Sequence, residues 1–215
     1  MADSARSAIL SRIRQATGST ADAASVAAEW QGIRRAYKQA ASVDREGLLH
    51  QLEDRLRDYD AGVYRAAYNG LPELIARILA GRGKHRIAVP QGISRGWLPA
   101  GFAFVEDTRV DLAELESCDG VLTSATLAIS ETGTIVLQDA PGQGRRAVTL
   151  LPDYHLCVVA AETIVQTVPE AIARLQATAS KATTFFSGPS ATADIEMTRI
   201  KGVHGPRFVD VILLE

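Results

Sequence analysis

Arg86-Ile87-Ala88-Val89, Phe102-Ala103-Phe104-Val105, Gly120-Val121-Leu122-Thr123, Thr134-Ile135-Val136-Leu137, Ala147-Val148-Thr149-Leu150 and Leu156-Cys157-Val158-Val159 are six short runs rich in β-branched and apolar residues. Short β-branched runs of this kind are how strands read in a sequence. Helical spacing appears between several of them, from Asp111 to Glu116 and, after the last, from Pro169 to Thr178. Strands interleaved with helices predict an α/β fold. Between Gly120 and Ala160 strand follows strand without a helix, so hairpins are expected and the sheet is read as mixed. Thr183 to Phe186 and Phe208 to Leu214 close it.

Upstream the texture is different. From Ser4 to about Arg57 the chain is alanine-rich, with Ile9 and Ile13, Val26 and Trp30, then Leu48, Leu52 and Leu56 at helical spacing. Asp44 is placed to cap the third of these helices. Leu71 to Leu79 forms another helix, with Pro72 in its first turn and Gly81 and Gly83 at its end. The expected organisation is a helical arm over residues 1–60 and one α/β domain over residues 61–215.

Composition narrows the function. A chain of 215 residues with 47% hydrophobic and 22% charged residues is an ordinary globular protein. A net charge of −2 provides no field for nucleic acid. No apolar run of about 18 residues is present to span a bilayer. Cys118 and Cys157 stand far apart in apolar runs, as free thiols of a reducing cytoplasm do, and two thiols cannot supply the four that an iron-sulphur cluster ordinarily takes. His50, His85 and His155 are scattered, so no metal site is expected.

Gly142-Gln143-Gly144-Arg145-Arg146-Ala147 fits the G-x-G-x-x-A string of dinucleotide-binding loops, but that fingerprint requires a helix to start there. Residues 147–150 read as a strand instead, which makes the glycines a hairpin tip and leaves Arg145 and Arg146 either on a ligand anion or in water. Ser187-Gly188-Pro189-Ser190 follows a strand. Ser190 or Thr192 is placed to cap a short helix carrying Asp194 and Glu196, and a helix start favours a phosphate or carboxylate. The dipole alone contributes only about 0.3–1 kcal/mol, so Arg207, Arg145 and Arg146 are the expected cationic partners. His204 lies in the broken loop Gly202-Val203-His204-Gly205-Pro206, suited to general acid/base work or to pinning the loop. Glu131 precedes Thr132-Gly133-Thr134, where a glycine lets a ligand approach the backbone; Gly133 and Thr134 join the candidate anion site, and Glu131 reads either as a nucleophile or as a turn cap.

The blocks Ala128–Leu137, Gly142–Arg146 and the C-terminal Ser187–Glu196 with Lys201–Arg207 together resemble the LUD-domain family, over about the last three-quarters of the chain. The resemblance implies a Rossmann-like three-layer α/β/α sandwich with a mixed sheet, of the kind shared by sugar-phosphate isomerases and CoA transferases. It implies a cytoplasmic subunit of a lactate-utilisation system that converts L-lactate to pyruvate, with iron-sulphur clusters held by partner subunits and no cofactor in this chain. CoA transferases of the related fold use a glutamate nucleophile, which is the analogy behind Glu131. Thr126 departs from the family, many of whose members carry an aspartate there, so a carboxylate role does not carry over. The alternative is a stand-alone transferase- or ligase-like enzyme, or a sensing module, for a small carboxylate or phosphate-bearing ligand.

Overall fold

A computed structural model describes residues 2–18, 22–192, 200–202 and 205–215. It divides into two compact units, residues 1–37 and 38–215. The first carries α1 (Ala2–Thr17) and α2 (Ala23–Gly32). Asp22 caps α2 by accepting from Ser25 N, and the Arg35 guanidinium lies over the Trp30 ring at 4.9 Å.

The second unit runs α3 (Arg45–Asp58), β1 (Gly62–Ala66), α4 (Leu71–Gly81), β2 (Arg86–Pro90), β3 (Ala103–Asp107), α5 (Leu112–Glu116) and β4 (Gly120–Ser124). It continues through β5 (Leu127–Ile129), β6 (Thr134–Gln138), α6 (Arg146–Leu150), β7 (Tyr154–Ala160), β8 (Ile164–Val165), α7 (Val168–Leu175) and β9 (Thr183–Phe186). The short pair β10 (Ala191–Thr192) and β11 (Ile200–Lys201) precedes the last strand, β12 (Phe208–Leu214).

Six strands form one sheet in the order β1-β12-β7-β4-β2-β3, every pair parallel. Parallel strands are covered on both faces and so read as apolar runs, which is why the sequence reveals all of them but the half-buried β1. On one face α4 packs Leu71, Ile75 and Leu79 against Ile87, Leu122, Leu156 and Ile212. The other face takes α3, through Leu49, Leu52 and Leu56, together with a second sheet ordered β8-β5-β6-β9. The expected hairpin pairing is confined to this smaller sheet, where β6 runs antiparallel to β5 and β9. α7, held by a capping box between Thr167 and Glu170, closes its outer face against Ile129, Val136 and Val165.

The helix Arg45–Asp58, assigned from the sequence to the arm, contributes to the core of the second unit, and β1 was not foreseen. β1 and β12 meet at a buried carboxylate. Asp210 is fully buried and accepts from Arg82 Nε (2.9 Å) and Nη2 (2.6 Å) and from Tyr154 Oη (2.9 Å). Gly62 pairs with Asp210 across the strands, and a Cβ there would lie 2.1 Å from Asp210 Oδ1, so only glycine leaves room for this network.

Two further readings are corrected. Residues 147–150 are not a strand: Arg146–Leu150 is the helix α6, whose Val148 packs with Ala88, Leu115 and Val121. Ser190 does not start a helix either, since residues 191 and 192 pair as a strand with residues 200 and 201. Asp194, Glu196 and His204 lie outside the described residues.

Candidate functional site

The order of the parallel sheet creates a crevice. From β2 the chain passes to β3 on the outer edge and then back to β4 on the other side of β2, so the connections diverge at the carboxyl ends of β2 and β4. Open α/β sheets place ligands at such switch points. A cleft of about 420 Å³ lies there, lined by Gln91 and Gly92 after β2, Asp107 and Arg109 at the end of β3, and Asp139 and Arg145 from the loop before α6. Arg145, one of the expected anion ligands, is already engaged. Its Nε and Nη2 meet both oxygens of Asp107 at 2.9 and 3.0 Å, and Nη2 also donates to Val110 O at 2.7 Å. This pairing holds the Asp107 carboxyl below the usual carboxylate range, against the opposing effect of burial.

Arg207 is in the same condition. It is exposed and forks onto both oxygens of Asp153, with Nη2 at 2.8 Å, and the pairing lowers the Asp153 carboxyl. A bidentate pair leaves little of a guanidinium for a ligand.

Arg146 is different. At the start of α6 its Nη1 donates to Thr149 Oγ1 at 3.1 Å and grazes Thr149 O at 3.5 Å, and among the described residues no carboxylate pairs with it. It lines a pocket of about 250 Å³ between α6, the starts of β7 and β12, and the smaller sheet. Thr149, His155, Ser187, Gly188 and Ser190 line the same space, with Leu137, Phe186 and Val209 as apolar wall. Of the expected anion residues, the structure therefore brings together Arg146, Ser187, Gly188 and Ser190. Thr134 stands one step behind, its Oγ1 2.9 Å from Ser187 Oγ and 2.8 Å from Thr132 Oγ1. Gly188 has φ +84°, and a Cβ there would meet Tyr59 Cβ at 2.6 Å, so glycine lets this turn pass close to the end of α3.

His155 was not singled out by the sequence, which shows it as one of four dispersed histidines. The residue is 2% exposed, and its ring tilts against Phe186 with centroids 5.2 Å apart and shares a 2.8 Å hydrogen bond between Nε2 and Thr123 Oγ1. Burial, with a smaller contribution from the Arg146 charge, lowers its pKa to about 3, so the ring is neutral. Thr123 Oγ1 also lies 3.6 Å from Cys157 Sγ, whose thiol burial pushes up to about 12. A pocket of mixed polar and apolar lining that holds a buried neutral imidazole and, among the described residues, a cation without a carboxylate partner has the composition of a small-molecule site.

Glu131 and Gly133 sit in neither cavity. They form the turn between β5 and β6, where the Glu131 carboxylate pairs with Lys38 and accepts from Gln166 Nε2 at 3.1 Å, and its carbonyl accepts from Arg55 Nε at 3.2 Å. Thr126 donates to Gln143 Oε1 at 2.8 Å, and that oxygen also accepts from Gln138 N, so the hydroxyl pins the glycine loop. A helix does begin after Gly142-Gln143-Gly144, contrary to the strand expected there. The preceding β6 nevertheless belongs to the smaller sheet and the following β7 to the larger one, so the loop is not the βαβ turn of a dinucleotide site. Among the described residues no three of His, Cys, Asp and Glu gather as a metal-ligand set, and no described helix is long and apolar enough to cross a membrane.

The fold defines an α/β protein with a parallel central sheet and a second, mixed sheet. Its family follows from comparison with known proteins: the model of the LUD domain matches residues 2–214, and the chain belongs to that family. It is 44% identical over 181 residues to the lactate utilization protein C of Deinococcus radiodurans, covering 83% of this chain and 84% of that one. The protein of that name from Shouchella clausii is 32% identical over 46% of this chain and 45% of its own length. The crystal structure of a DUF162 family protein from Deinococcus radiodurans is similar with a TM-score of 0.71 and 38% identity, over 81% of this chain and 100% of that one.

Proposed function

We propose that this chain is the LUD-domain subunit of a cytoplasmic lactate-utilisation system and contributes to the oxidation of L-lactate to pyruvate together with iron-sulphur partner subunits. The observation that carries this is the 44% identity to a lactate utilization protein C along more than four-fifths of both chains. Oxidation of lactate releases two electrons and two protons. A cluster to receive the electrons takes four thiolates, whereas Cys118 and Cys157 are two buried thiols with raised pKa values in separate cores. The clusters are therefore assigned to the partners, and the pocket around Arg146 to binding of the small organic anion.

Deletion of the gene, with growth on L-lactate as the carbon source, tests this reading. Growth should fail and return with the wild-type gene, and the tagged chain should co-purify from the complementing cells with iron-containing proteins. Unimpaired growth with no iron in the purified material would contradict it and favour a stand-alone enzyme or sensor.

A further inference from the structure

Among the described residues the pocket holds one arginine without a carboxylate partner and one imidazole that can present either face of a hydrogen bond. Arg146 has a single side-chain partner, Thr149, among the described residues, so its remaining N–H groups are available to a planar carboxylate. The second feature depends on Thr123. His155 Nε2 and Thr123 Oγ1 are 2.8 Å apart, Cys157 Sγ is 3.6 Å from the same hydroxyl, and Nδ1 has no partner among the described residues although the ring lines the pocket. A hydroxyl has one proton. When it points to Nε2, the ring proton sits on Nδ1, the remaining nitrogen of a ring that lines the pocket, and Nδ1 is a donor. When it turns to Cys157 Sγ, Nε2 carries the proton and donates to Thr123, and Nδ1 presents a lone pair.

We infer that this pocket is a site for small 2-hydroxy and 2-oxo acids, in which Arg146 takes the carboxylate and the Thr123–His155 pair reads the oxygen on C2, reversing its hydrogen bonds between hydroxyl and ketone. A hydroxyl donates to bare Nδ1. A ketone accepts from Nδ1–H. Both arrangements keep the imidazole neutral, as its burial requires, and neither leaves the Thr123 proton without an acceptor. The volume of about 250 Å³ falls below the roughly 300–1,000 Å³ of pockets for drug-sized ligands, in keeping with an acid of a few carbons. The choice of L-lactate and pyruvate as occupants rests on the function proposed above; the chemistry of the pocket does not.

The test is calorimetric titration of the full chain with L-lactate, pyruvate and propionate, which lacks the C2 oxygen, alongside nitrogen NMR of histidine-labelled protein. L-lactate and pyruvate should bind about tenfold more tightly than propionate, the effect of one hydrogen bond in a desolvated site. Arg146→Ala should weaken all three acids by about tenfold or more. His155→Leu should bring lactate and pyruvate down to the propionate level. In the wild type, pyruvate should shift the His155 proton toward Nδ1 and L-lactate toward Nε2, a readout that does not depend on any variant folding. Equal binding of propionate, His155 nitrogen signals unmoved by both acids, or inorganic phosphate displacing the acids at lower concentration would overturn the inference. Binding as described with growth on lactate untouched by deletion would leave the pocket standing and remove the proposed function. Failure of growth with no acid bound would do the reverse.

Discussion

Arg145 and Arg146 are joined by one peptide bond, yet they face two cavities in opposite electrostatic conditions. The cleft at the carboxyl ends of the parallel strands is where the fold alone directs attention, and its Arg145 is committed to Asp107. The pocket beside β7 is smaller and lies at the other end of its strand, and among the described residues its Arg146 has no carboxylate. Fold-level rules thus locate a crevice, whereas the pairing of its charges decides whether an anion can be held there. The availability of a guanidinium depends on which carboxylates the fold brings within reach.

Three committed arginines grade this comparison by the burial of their partners: Asp210 side chain 0% exposed, Asp107 5% and Asp153 34%. Arg82→Ala should be the most damaging, because it strips the guanidinium from a fully buried carboxylate; chemical denaturation should show a loss of about 3 kcal/mol. Acid comes next. His155 stays neutral down to about pH 3 in the folded chain and protonates near 6.5 when unfolded. Over that interval the unfolded state binds the extra proton, so stability falls with falling pH by about 1.4 kcal/mol per unit. Asp107 and Asp153, lowered by their arginines, act in the same direction at the acid end, below their unfolded values. In His155→Leu, denaturation curves measured between pH 6 and pH 4 should be flatter than in the wild type; an unchanged slope would mean that the ring is charged in the fold. Arg145→Ala should cost about 1–2 kcal/mol, since Asp107 keeps the backbone N–H of Arg109 as a donor. Arg207→Ala, at an exposed pair, should alter the melting temperature least of the three. A reversed order would show that burial of the carboxylate does not set the cost.

Much of the fold is legible in the sequence because most of its parallel strands are apolar runs and its helices keep regular apolar spacing, with Asp44 a readable cap. What escaped had weaker local signals. β1 is only half-buried along its length, with Arg65 drawn to Glu53 and Glu46, so it lacks an apolar pattern. Val148 and Thr149 favour a strand by propensity, but burial of Val148 under the sheet edge holds the short helix α6, tertiary packing overriding a weak preference. The site was half visible. Glycine and serine at positions 187–190 mark a turn, whereas Thr123 and His155 come together only through the pairing of β4 with β7, in which His155 faces Val121. No linear spacing announces that contact.

The central claim is that the uncommitted arginine, not the cleft at the strand ends, defines the ligand site. It is tested most directly by the rise in melting temperature that L-lactate produces in the wild type, Arg145→Ala and Arg146→Ala, since a ligand that binds only the folded state stabilises it in proportion to occupancy. The rise should persist in Arg145→Ala, on a lower baseline, and vanish in Arg146→Ala, whose unliganded melting temperature stays near that of the wild type. A rise abolished by Arg145→Ala and retained in Arg146→Ala would contradict the claim and move the site to the cleft.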